Sequence, residues 1–404
     1  MRRPLVVLIS LMSVITAMVI WWNSAIHFAP LPGSSAEQGQ VDAMLASLNP
    51  RMHNGVPDRM QRLFPEGEAF SYALYGLANC NTTRWCDHDL KMQRIDEARR
   101  ALNELESERV RARFPALLPP VHGIFHAGWS AFLHGSILQA SGIGAISIEE
   151  RQAFIRRCDT IASTVVNAPT AYPESYNGMA WPADATVAMA ALALHDRILP
   201  DRYANVRRAW VQRVRRTIGD SSGVAHAWDP ETNAALSEMR GSSLALMCLL
   251  LPEIDSTFAN EQFTAFSDNF FDEILGVPVV NEFPKNSWGK GDIDSGPLIF
   301  GAGPVAMIVG AGACRTNGDA FHDLEMNSTV DGFGFPLGTD ERRYLFGAMP
   351  VAELFIAWCR SQPVHATMER PRPRFLRFHG YSVLLLILIW LPPFIWWRRQ
   401  RTAR

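Results

Sequence analysis

The sequence has 404 residues, 48% hydrophobic and 19% charged, with a formal net charge of -2. That average is ordinary for a globular chain and gives no sign of a nucleic-acid partner. It hides an uneven distribution, because Pro4 to Trp22 and Tyr381 to Trp397 carry no charge at all.

At 1.5 Å per residue, each uncharged segment crosses or nearly crosses a roughly 30 Å hydrocarbon core. Both end in tryptophans (Trp21, Trp22, Trp396, Trp397), residues that favour the membrane–water interface. A cleaved signal peptide is the alternative for the first. Its apolar stretch, however, exceeds the usual about 7–15 residues and lacks a small-residue cleavage site. Arg2 and Arg3 precede this span, and no Lys or Arg follows it until Arg51. The positive-inside rule therefore predicts cytoplasmic termini and an outward-facing domain. The second span is neutral in this respect: Arg370, Arg372, Arg374 and Arg377 before it balance Arg398, Arg399, Arg401 and Arg404 after it. The predicted organisation is an anchor at 1–23, a domain at 24–366, a basic juxtamembrane segment at 367–379, a second span at 380–397 and a basic tail at 398–404.

Within the domain, apolar small-residue stretches recur about every 55 residues, near Ser71, Gly128, Asp184, Gly241, Gly296 and Gly347. Each is apolar nearly all round, as a helix buried on every side must be. Between them run amphipathic segments, at Glu37 to Leu48, Asp89 to Leu105, Ile148 to Val166, Asp201 to Ile218 and Thr257 to Leu275. The arginines of 201–218 read as a solvated helix face. Strand-like alternation is scarce. Buried helices alternating with amphipathic ones predict an all-α fold, an (α/α)6 toroid with an inner ring wrapped by an outer one. A stacked solenoid is the alternative, and a count of six favours closure.

In such a ring the residues just before each inner helix line one common mouth. Those segments are Phe64 to Glu68, His122 to His126, Glu174 to Asn177 with Trp181 to Asp184, His226 to Asp229, and Trp288 to Pro297. Acids, histidines and aromatics thus converge, the usual make-up of a small-molecule site. The expected catalytic groups are Asp184, Asp294, Glu174 and His126. Tyr176, Trp181, Trp129, Trp228, Trp288 and Asp292 are expected to line the substrate pocket. The bland alternative is that Asp184 and Asp294 merely cap helices. His122 and His126, four apart, could face a metal, but no HExxH or Cys/His pattern accompanies them, and no metal or cofactor is expected. Cys80 and Cys86 are close enough for a small-loop disulfide; the alternative is a buried, reduced Cys80.

These motifs give the chain a resemblance to the linalool dehydratase/isomerase family, extracytoplasmic bacterial (α/α)6 enzymes acting on terpene alcohols. It runs from about Phe70 to Asp319. It is carried by Ser71 to Ala78, the segment around Gly128, Asp196-Arg197 with Tyr203 and Arg208-Ala209-Trp210, Asp229-Pro230-Glu231, and Asp292-x-Asp294-x-Gly296. The resemblance implies a bacterial inner-membrane protein with a periplasmic or extracytoplasmic toroid. It pairs the family's catalytic cysteines with Ser175 and Asp184 and its histidine with a position near Trp129, so the family's thiol chemistry is replaced by an acid. The expectation is a membrane-anchored acid–base lyase, isomerase or hydrolase on a small hydroxylated or glycosidic substrate. The alternative is a non-catalytic, membrane-held binding or assembly protein that uses the toroid as a scaffold.

Overall fold

Where a helix is apolar all round, it must find neighbours on every side, and six such helices do so here by closing on one another. The computed structural model describes residues 2–219, 223–365 and 375–402. The inner helices are α4 (Gly67–Thr82), α7 (Gly123–Ser141), α9 (Pro182–Ile198), α11 (Gly241–Ile254), α13 (Pro304–Thr316) and α15 (Pro350–Arg360). Each packs on the next, and α15 packs back on α4, so the ring is closed. Small residues permit the close approach. A Cβ on Gly128 of α7 would sit 3.0 Å from the backbone nitrogen of Ala188 on α9.

The outer ring is α2 (Ser35–His53), α5 (His88–Leu105), α8 (Ile148–Asn167), α10 (Ala204–Ile218), α12 (Ser256–Phe270) and α14 (Ala320–Phe333). Short helices α3 (Val56–Gln61) and α6 (Glu108–Arg111) fill turns. Five outer helices begin with a side-chain cap: Ser34, Asp87, Ser147, Asp255 and Asp319 each accept a backbone N–H of the first turn. Such a cap contributes about 1 kcal/mol. No inner helix has one, and α9, α13 and α15 open on proline instead, whose missing N–H costs nothing there.

A buried ionic network seals the ring where its two ends meet. Arg315 of α13 bonds Asp323 of α14 (2.8 Å) and Glu37 of α2 (2.6 Å). Arg360 of α15 bonds Asp331 (2.9 Å), Asn327 (2.8 Å), the Tyr344 hydroxyl (2.9 Å) and Gln40 of α2 (3.1 Å).

Several expectations are corrected. The last two inner helices begin at Pro304 and Pro350, later than Gly296 and Gly347, because Gly296, Gly301 and Gly347 take left-handed turns that a helix cannot contain. The predicted outer segment 257–275 ends as helix at Phe270 and continues as strand β3 (Phe271–Ile274), paired antiparallel with β4 (Val277–Val280). A second small pair joins β1 (Trp228–Asp229) to β2 (Ala234–Ala235). Cys80 and Cys86 are not bridged. Cys80 is buried in α4, where burial pushes its thiol up, and the Cys86 thiol donates to the Thr82 carbonyl.

Two further helices flank the toroid, α1 (Arg2–His27) and α16 (Leu376–Thr402). Each contains a segment long and apolar enough to cross a membrane, Val6–His27 and Leu376–Ile395. They pack on each other, with the Asn23 amide donating to the Ser382 hydroxyl (2.9 Å) and the Trp390 indole donating to the Thr16 hydroxyl (2.9 Å). Of the basic juxtamembrane segment, 367–374 lies outside the described residues, as do 403 and 404 of the tail.

Candidate active site

The mouth of the ring gathers three carboxyl groups and a phenol. Pro182 starts α9, so Asp184 falls in its first turn, where the helix N-terminus favours an ionised acid. Burial outweighs this and pushes the Asp184 carboxyl up to about 7; the Ser175 hydrogen bond opposes the rise, and the charges of Glu66 and Asp294 add to it. The Ser175 hydroxyl donates to Asp184 Oδ2 at 2.6 Å. Asp184 keeps part of its surface accessible.

Tyr176 sits in the loop before α9 and donates its hydroxyl to Glu66 Oε1 at 2.6 Å. Burial first, then this bond and the charges of Glu66, Asp184 and Asp294, push its phenol well above the usual range. Trp181 stacks edge-on against Tyr176, ring centroids 5.9 Å apart. Asp294 is at the lip, its surface open to solvent but crowded by the mouth. Burial raises its carboxyl to about 6, with Asp292 and Glu66 adding and Arg240 opposing. Neither Asp184 nor Asp294 caps a helix: Asp184 bonds a side chain, and Asp294 lies in the loop ten positions before Pro304.

Asp292 belongs to the scaffold of that lip. It ion-pairs with Arg240 and accepts the backbone N–H groups of Asp294 (3.1 Å) and Ser295 (3.0 Å). Burial opposes its ionisation, but these bonds win and hold it at about 2. Arg240 also faces the fully buried Glu282 (2.9 Å), which takes the Ser242 hydroxyl at 2.7 Å and is pushed up to about 7 by burial.

Below the acids lies an aromatic floor. Trp129 of α7 meets Phe70 of α4 (5.4 Å) and Trp358 of α15 (5.7 Å). Helices α7 and α15 both flank α4, so the tryptophan pair reaches across the inner face of α4. Trp129 is fully buried.

Four expected site residues are placed elsewhere. His126 is buried and donates Nε2–H to the Leu105 carbonyl (3.1 Å), turned toward outer helix α5. Glu174 accepts the Gly178 N–H (2.6 Å), bracing its own turn. Trp228 packs on Tyr172 (5.4 Å) and donates to Asn233 (3.2 Å). Trp288 is 90% exposed, standing free of the acids in the long loop before α13. Conversely, Glu66 joins the cluster although it was not among the expected catalytic groups; its place immediately before α4 is the signal that marks it. Among the described residues, no group of three His, Cys, Asp or Glu side chains is arranged around a metal. A separate recess of about 260 Å³, lined by His53, Tyr72, Tyr75, Glu97, Arg100 and Arg109 among others, lies on the outer side of α4, and none of the mouth carboxyls lines it.

No family model matches the chain, and no curated protein does. Among solved structures, one named for UGL with the saccharide dGlcA-Glc-Rha-Glc shares 13% identity over 72% of this chain and 84% of its own, with a TM-score of 0.46. The unsaturated glucuronyl hydrolase of Bacillus sp. GL1, responsible for the degradation of glycosaminoglycan, shares 12% over 72% and 85%, with a TM-score of 0.45. At such values neither bears on the chemistry of this chain, and neither supports the linalool dehydratase/isomerase family. The toroid stands on the closed ring itself.

Proposed function

We propose that this protein is an acid–base enzyme, a hydrolase or lyase acting on a hydroxylated or glycosidic small molecule, held to a membrane by α1 and α16 with the toroid facing away from the cytoplasm. The observation that carries the chemistry is the separation of two acids within one electrostatic group. Burial pushes the Asp184 carboxyl up to about 7 and that of Asp294 to about 6, and the Asp294 charge adds to the rise at Asp184. The deeper acid keeps its proton more readily than the lip acid, the asymmetry that general acid and general base roles use.

Asp184 then protonates the departing oxygen of the substrate. Asp294 takes a proton from water, in hydrolysis, or from carbon, in elimination. Tyr176, fixed by Glu66, and Trp181 form the wall against which the substrate rests. The aromatic floor lies deeper in the ring, and the substrate enters from the mouth. Asp184→Asn keeps size and polarity but cannot carry the proton, and turnover falls roughly 10²-fold or more. A panel of glycosides and alcohols, assayed with the full chain in detergent, tests this. Equal turnover by the folded variant refutes the reading.

A further inference from the structure

We propose that the mouth of the toroid rests on the bilayer surface and that the acid site takes its substrate from the membrane, an amphiphile whose polar head carries the reacting oxygen. This deepens the function proposed above and rests on reading α1 and α16 as membrane spans and the mouth acids as proton-transfer groups.

Three observations carry it. The first is where the spans join the domain. Trp22 of α1 packs on Phe333 (5.6 Å) and Phe335 (6.4 Å), at the end of α14 that lies beside the inner-helix starts. Phe335 in turn stacks on Phe346 (6.1 Å), in the loop that leads into α15. An unbroken aromatic path thus runs from the first span to the rim of the mouth. Gly332 fixes the contact, because a Cβ there would lie 2.6 Å from Ile26. Helix α16 leaves from the same side, paired to α1 through Asn23 and Ser382.

The second is the distribution of exposed apolar side chains. Trp288 (90% exposed), Phe300 (81%), Phe346 (71%) and Ile299 (64%) all stand in loops that enter inner helices, two of them flanking the sector from which the spans leave. Among the described residues, the turns that leave the inner helices expose no Phe, Tyr or Trp. Those turns do expose Ile143 (48%) and Ile148 (66%), so the bias lies in the aromatics, the residues that favour a bilayer interface.

The third is the shape of the site. Asp184 lies in the first turn of α9 while Asp294 stands at the lip, and Trp129 and Trp358 pack together deeper in the ring, so a substrate approaching from the mouth passes the apolar rim. A head group reaches Asp184 while its apolar tail stays among Phe300, Phe346 and the lipid.

The test uses the full chain, with Cys86→Ser to leave only buried thiols. Nitroxide labels on Phe300→Cys and Phe346→Cys, with Ile148→Cys on the opposite face, are read in discs of phosphatidylethanolamine and phosphatidylglycerol. Dissolved oxygen should relax the two rim labels more strongly than an aqueous nickel chelate, and the Ile148 label should show the reverse. Rim labels that behave like the Ile148 label overturn the seating, whatever the chemistry. For the substrate, vesicles of the host's polar lipid extract and, separately, its water-soluble extract are incubated with wild type and Asp184→Asn. A mass change in a lipid component with wild type alone supports the proposal. A change confined to the water-soluble extract overturns it and leaves the acid–base reading intact; no change in either overturns both.

Discussion

The Ser175 hydroxyl donates to Asp184 Oδ2 at 2.6 Å, and this bond favours the ionised acid against the burial that opposes it. Ser175→Ala therefore moves the Asp184 carboxyl further above about 7. A hydrogen bond of about 1 kcal/mol corresponds to roughly 0.7 of a pH unit. If Asp184 is the proton donor, the alkaline limb of the kcat profile shifts upward by about that amount, while the acid limb, set by Asp294, stays. An unmoved alkaline limb would mean that another group donates.

Asp184 also leaves a mark on stability that does not depend on substrate. Its folded-state pKa of about 7 lies above the ordinary 3.8. Between those values the unfolded chain releases a proton that the folded chain keeps, so stability falls as pH rises through about 4 to 7 and is level above. Asp184→Asn removes that slope. Chemical denaturation should find the variant close to wild type near pH 4 and more stable at pH 7.5, by on the order of 2–4 kcal/mol. A constant difference across the range would show that Asp184 is ionised in the folded protein.

The seam of the ring is vulnerable to loss of one charge. Arg315 is fully buried among Glu37, Asp323 and the Arg360 carbonyl. Arg315→Ala strands two buried carboxylates, a change that typically costs about 3–5 kcal/mol. Urea titration of the variant should show this loss. A cost below about 1 kcal/mol would mean that apolar packing alone closes the ring.

For the orientation across the membrane, a reporter active only outside the cytoplasm, fused after Gln38, should be active. The motivation is the charge asymmetry around the first span, with Arg2 and Arg3 before it and none following until Arg51. Activity solely from a cytoplasmic reporter at that point would reverse the assignment.

The ring was legible because its inner helices are apolar on all sides, which leaves them only one kind of surroundings. Five outer helices showed a polar face. The sixth, α14, did not, since α13 covers one side of it and α1 the other. At the mouth, the meeting of Asp184, Tyr176 and Asp294 follows from topology: a closed ring gathers whatever precedes its inner helices. What topology does not supply is rotation about each helix axis. His126 stands one turn into α7, where a small change of angle decides between lumen and outer ring, and it faces outward to Leu105. Trp288 fails for a different reason, because it lies in a long loop whose path no periodicity records.

The contact of Glu37 with Arg315, and of Gln40 with Arg360, has a consequence for how the chain matures. Helix α2 is made early, but its partners are among the last of the ring to be synthesised. Until they emerge, the inner faces of the earlier helices stay uncovered, with no sealed interior to hold them. Such long-range closure makes for slow assembly. A chain cut short before residue 315 would leave α2 without its ionic partners. The growing protein thus needs protection from aggregation for most of its synthesis, and an α1 that spans a bilayer, as proposed, would hold the unfinished ring apart from its copies.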